Sequence, residues 1–128
     1  MAMLRQEKLN LISDLLNVDF IKNGILSAIV ADLAGNVLIE AHNDGHSCDA
    51  QSLASLAAGN FMAVSTLLNY LEDTELTLLF HKGKNLSIHF KKILNDYLLI
   101  SIFDKDISLG FLRLKIEKLE PFLESNFS

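Results

Sequence analysis

The sequence predicts a three-layer α/β (α+β) domain of element order αββαβββα. Its core is a five-stranded antiparallel sheet with strand order 2-1-5-4-3. Three observations predict this. Residues 25–31 and 97–103 are short runs that are almost continuously apolar, so each needs cover on both faces and belongs in the middle of a sheet. Tight turns join the first strand to the second and the third, fourth and fifth in series, which makes every joined pair antiparallel neighbours. Residues 50–71 read as one long helix without a single Asp, Glu, Lys or Arg. About five charges would be usual in such a window.

A first helix is expected over 4–20, where Leu9, Ile12, Leu16 and Phe20 recur at steps of three and four beside Leu15. Lys22, Asn23 and Gly24 stop it. The run 25–31 is the first strand, Asp32 to Asn36 is a turn with Gly35 supplying positive φ, and 37–41 is the second strand. A polar loop over 42–48 precedes the long helix, whose start Asp49 caps. The third strand is expected over 75–82. It turns at Gly83 into 86–91, where Leu86, Ile88 and Phe90 alternate with Ser87, His89 and Lys91. Asn95 and Asp96 turn the chain into the fifth strand. A last helix is expected from about 107, with Asp104 or Asp106 near its start and a stripe of Leu109, Leu112, Ile116 and Leu119. Pro121 is expected to end or kink it.

At 128 residues and half apolar, the chain is expected to be a single domain over 1–128 with one real core. A net charge of −5, with no gathered basic patch, speaks against nucleic acid as a partner. One cysteine, Cys48, leaves no internal disulfide and suits a cytoplasmic location, as does a charged N-terminus without an apolar signal region. Residues 50–71 have the length of a membrane span, but Gln51, Ser52, Ser55, Asn60, Ser65, Thr66 and Asn69 lower their hydropathy, so no membrane insertion is expected.

An uncharged helix needs cover on more than one side. Wound at 100° per residue, Leu53, Leu56, Ala57, Val64, Leu67, Leu68 and Leu71 form the stripe expected on the sheet, and Asn60 projects into it. A second stripe of Ala54, Ala58, Phe61, Met62 and Ser65 is expected to meet a second copy of the chain. The third strand points to the same partner. Leu76, Leu78 and Phe80 lie in an edge strand that no internal charge or proline blunts, and two such edges can pair across a twofold axis. The remaining arc, Ser52, Ser55, Gly59, Ala63, Thr66 and Tyr70, is also uncharged.

Candidate chemistry is sparse. His42, His46 and Cys48 have metal-ligand character but lack a fourth ligand in register, so no metal is expected. His81 and His89 sit on two strands of one hairpin and make a weak pair. No nucleophile–base–acid set and no glycine-rich phosphate loop stands out, so neither enzymatic activity nor a cofactor is expected. The Leu-rich stripe speaks against a large ligand cavity of the sensor type.

Three local signatures carry a resemblance: GILSAIVADLAGNVL at 24–38, LASLAA at 53–58 and DISLGFLRL at 106–114. In this order and spacing they resemble the Roadblock/dynein-light-chain (MglB-type) domain family over nearly the whole chain. Ser27, where many members carry glycine, and Pro121 depart from its pattern. The resemblance implies a Roadblock/profilin-like fold and a homodimer with paired edge strands and packed long helices. It also implies a non-catalytic regulator of a small Ras-like GTPase, promoting hydrolysis or exchange. The GTPase-contact residues would be Ser52, Ser55, Gly59, Ala63 and Thr66. With Arg5 and Arg113 the only arginines, the long helix offers no arginine finger. The family equally includes scaffold or adaptor subunits of motor, polarity or membrane-tethered complexes with no effect on GTP turnover.

Overall fold

Alternating turns and apolar runs place five antiparallel strands side by side. In the computed structural model, which describes residues 6–46, 48–71 and 76–127, the order of elements is α1 (Gln6–Asp19), β1 (Ser27–Asp32), β2 (Val37–His42), α2 (Ala50–Tyr70), β3 (Leu78–Lys82), β4 (Leu86–Ile93), β5 (Tyr97–Asp104) and α3 (Leu109–Phe127). A 3₁₀ turn, Ile21–Asn23, follows α1 and ends at Gly24 with φ of 100°. The sheet order is β2-β1-β5-β4-β3, with the two doubly apolar strands side by side inside it, and all pairs are antiparallel. Leu4, Arg5, Ser47, Glu72, Asp73 and Glu75, which figured in the expected helix start, loop, acidic connection and third-strand start, lie outside the described residues.

The sheet separates two cores. On one face, α1 and α3 bury Ile12, Leu16, Leu112, Ile116, Leu119 and Leu123 against Ala28, Val30, Leu99 and Phe103. On the other, α2 lies over Ile29, Ala31, Phe90, Leu98 and Ile100. Strands β1 and β5 are buried nearly throughout, which fixes them in the middle.

Two expectations about α3 are corrected. The helix begins at Leu109, where the Ser108 hydroxyl accepts from the Phe111 N–H at 3.1 Å; Asp104 instead accepts from the Asp106 N–H in the turn before it. Of the end or kink expected at Pro121, the end is ruled out, since the helix runs on to Phe127. The lost backbone bond is outweighed by packing beyond it: Leu123 is fully buried, and the Phe127 ring lies 4.5 Å from that of Tyr97.

Candidate functional surface

The long helix α2 is set by contacts at both flanks. At its start the Asp49 carboxylate accepts from the Ser52 N–H at 3.1 Å and from its hydroxyl at 2.8 Å. Those bonds hold the Asp49 carboxyl below its ordinary pKa. On one flank the β1–β2 turn presses on the helix. Asp32 Oδ1 accepts from the N–H groups of Ala34 and Asn36, and Gly35 adopts a φ of 90°. A Cβ on Gly35 would come within 2.9 Å of the Ser55 Cα, so only glycine allows this approach. The Gln51 amide donates to the Gly35 carbonyl at 2.7 Å, closing the contact. On the opposite flank, His81 of β3 donates from Nε2 to Asn60 Oδ1 at 3.2 Å. The Asn60–His81 flank therefore lies beside β3, the last strand of the sheet, whose outer edge pairs with no described strand.

The side of α2 that meets the sheet is its alanine side. Ala50, Ala54, Ala57, Ala58 and Phe61 are buried, with Leu53, Val64 and Leu68 partly so. The expected sheet-facing stripe is thus corrected by a rotation of roughly one-fifth of a turn. Leu56, Leu67 and Leu71 are turned out of the sheet contact, and Asn60 is exposed. Small side chains let the helix settle close to the strands, so packing against the sheet selects Ala over Leu here. The expected interface residues Ala54, Ala58 and Phe61 are covered by this chain's own sheet and are not free for a partner; Ser65 is half-buried. Met62 is exposed.

A continuous uncharged face remains. Ser52, Ser55, Gly59, Ala63 and Thr66 are all exposed, as the sequence implies for the arc opposite the sheet. Leu56 at 73%, Leu67 at 57%, Tyr70 at 84% and Leu71 at 63% are large apolar side chains standing in the open. At 100° per residue, Leu56 and Leu67 fall within about 40° of Asn60, on the flank that leans toward β3. The face thus adjoins the free edge. That edge offers backbone rather than side chains: Leu76 is buried under α2, and Phe80 stacks on Phe103 at 6.1 Å. Leu78 is half-buried on the α3 face.

The remaining candidates part company. His81 and His89 point to opposite faces of the sheet: His81 meets Asn60 and the Phe90 ring, while His89 is buried on the α3 side. His42, His46 and Cys48 do gather, around a residue that spacing alone did not single out. The Ser27 hydroxyl lies 2.7 Å from His42 Nδ1, 3.0 Å from His46 Nδ1 and 4.0 Å from the Cys48 thiol. His42 Nε2 is 2.8 Å from the Glu40 carboxylate. With that Nε2 protonated toward Glu40, His42 Nδ1 accepts the Ser27 O–H and His46 Nδ1–H donates to Ser27 Oγ, a consistent chain assigned from its partners. The Ser27–His42–Glu40 order is that of a hydrolytic triad, but Ser27 is fully buried and no substrate carbon can reach its oxygen. The cluster ties β1, β2 and the loop before α2 together. Among the described residues, no group of three or more His, Cys, Asp or Glu is arranged to hold a metal. No described helix is long and apolar enough to cross a membrane.

Comparison with known proteins places this geometry. The model of the Roadblock/LC7 domain matches residues 12–103. Myxococcus xanthus MglB is 31% identical and superposes with a TM-score of 0.83 over 99% of this chain and 94% of its own. The gliding protein MglB of Thermus thermophilus is 22% identical, with a TM-score of 0.86 over 96% of this chain and 93% of its own. An MglB with a tetrameric arrangement is 21% identical, with a TM-score of 0.87 over 96% and 92%. At such identities the last two speak for the fold. No curated protein sequence matches the chain.

Proposed function

Because the chain belongs to the Roadblock/LC7 domain family, we propose that it works as a homodimer that binds a small Ras-like GTPase and regulates its nucleotide cycle without performing covalent chemistry itself. One observation carries this reading: α2 is uncharged all round yet covered on one side only, leaving Leu56, Leu67, Tyr70 and Leu71 exposed along its length. Burying each such side chain against a partner stabilises by roughly 1.5–3 kcal/mol. Their position beside the unpaired edge of β3 favours a second copy as the partner, because a twofold axis there brings both edge and helix into one self-complementary contact. The dimer contact in this reading runs through Leu56, Leu67 and the β3 backbone, in place of Ala54, Ala58 and Phe61.

The crest of α2, with Ser52, Ser55, Gly59, Ala63 and Thr66, then forms a two-helix platform for the GTPase. No arginine stands on α2, so an effect on hydrolysis acts by reshaping the GTPase's own switch segments. The test pairs the protein with the cognate GTPase in its GDP and GTP-analogue states, and measures binding, single-turnover hydrolysis and nucleotide release. Preference for one state with a changed rate is the expected result. Binding indifferent to nucleotide, with both rates unchanged, overturns regulation and favours the scaffold or adaptor alternative. Gly59→Glu separates the two surfaces: a Cβ at Gly59 meets nothing within 4 Å, so the variant keeps its fold and dimer while losing the GTPase.

A further inference from the structure

On the face of the sheet opposite α2, β4 and the middle of α3 border an open pocket of about 150 Å³, lined by Leu78, His89, Lys91, Arg113, Ile116, Glu117 and Glu120. Its floor is unusual. His89 occupies an inward position of β4, 1% exposed, and neither ring nitrogen has a hydrogen-bond partner among the described residues. Ser101, directly across on β5 and fully buried, has an equally unpartnered hydroxyl. An apolar side chain would fill position 89 without this penalty, as Ile93 does on the same face. Of these three unpartnered atoms the two imidazole nitrogens belong to a residue that lines the pocket, where a polar ligand would satisfy them.

The charges around the floor select its sign. Lys91 stands next along the same face of β4, and Arg113 projects from α3 with no carboxylate partner among the described ion pairs. Of the two carboxylates, Glu120 is already engaged by Lys91 at 3.8 Å, and Glu117 is exposed. The His89 pKa is lowered to about 4, first by burial and then by the charges of Arg113 and Lys91, so the cations are felt at the floor. With Lys91 held by Glu120, Arg113 is the lining cation outside the described ion pairs, and a guanidinium beside a free imidazole N–H suits an oxyanion.

We propose that this pocket binds a small oxyanion, a carboxylate or phosphate group, between the His89 imidazole and the Arg113 guanidinium, with Lys91 beside it. The site lies across the sheet from the α2 platform and stands or falls independently of the GTPase reading. An anion seated there stabilises the imidazolium, so His89 takes up a proton more readily when the pocket is filled. The groups that face it in this linkage are Lys91 of β4 and Arg113, Glu117 and Glu120 of α3.

The experiment titrates the full chain with inorganic phosphate and, separately, with acetate, following binding by calorimetry and the His89 ring by nuclear magnetic resonance. Saturable binding of either probe, with the His89 signals moving and its pKa rising above about 4, is expected. His89→Leu and Arg113→Gln should each weaken binding at least about tenfold. Both should keep the fold, since the first removes unpaired nitrogens and the second lies on the surface. Phosphate alone binding identifies a phosphate site, and acetate alone a carboxylate site. Failure of both probes to saturate, or equal affinity in His89→Leu, overturns the proposal.

Discussion

Gly35 shows how one residue couples the turn to the helix above it. Its φ of 90° and the 2.9 Å approach of an added Cβ to the Ser55 backbone both exclude a side chain. Gly35→Ala should therefore destabilise the fold by about 1–3 kcal/mol, read as a lower denaturation midpoint; an unchanged midpoint would show that the turn has room to shift. His89 acts through its buried neutral ring. Its folded pKa, about 4, lies below the ordinary 6.5, so the folded state resists protonation. The contribution is whole above pH 6.5 and is lost as pH falls from there toward 4, amounting to about 3 kcal/mol. His89→Leu should flatten that part of the stability profile in unfolding titrations made at successive pH values, and a wild-type profile equally flat would contradict the assigned environment. These two residues differ in legibility. The Asp32-x-x-Gly35 pattern announces a turn that needs positive φ. Nothing in the alternation of 86–91 distinguishes a buried His89 from an exposed one.

At the scale of elements, strands are legible because their signal is local. The runs containing Ile29 and Ile100 are apolar on both faces, which places them centrally and, with the tight turns that join the other strands to them, determines the strand order. Helices are less legible because their faces are chosen by what they pack on. Leu56 and Leu67 are larger than Ala54 and Ala58, so apolar size points the leucines inward. The sheet instead takes the alanines, which allow a closer approach, and leaves the leucines outside. It follows that Ala58→Glu unfolds the protein rather than splitting a dimer, whereas Leu67→Glu leaves it folded; circular dichroism melts distinguish the two. Pro121 departs from expectation for a related reason, since local propensity foresees a break where Leu123 and Phe127 hold the helix together. Because Pro121 is itself exposed, Pro121→Ala removes no core contact and restores a backbone bond. A gain of about 1–3 kcal/mol in chemical denaturation is expected; a loss would mean that the proline fits a bend the packing requires.

For the whole molecule, the decisive fact is asymmetry around α2. One side is closed by the sheet, the opposite side is uncharged and open, and the flank between them that carries the exposed Leu56 and Leu67 adjoins the last strand. The cluster around Ser27 anchors the loop that leads into this helix, with the Ser27 hydroxyl standing between the Nδ1 atoms of His42 and His46. The uncharged pattern of α2 predicts a second cover. Which residues would meet it depends on the helix's rotation, visible only once Gly35 and His81 mark its two flanks.

Light scattering coupled to size exclusion tests this arrangement most directly. The wild-type chain should elute with twice its mass of 14.3 kDa, and Leu67→Glu should run as a folded single chain. A wild-type protein that stays soluble and monodisperse at the mass of one chain would mean that the open face of α2 needs no second copy, and the dimer platform would be refuted.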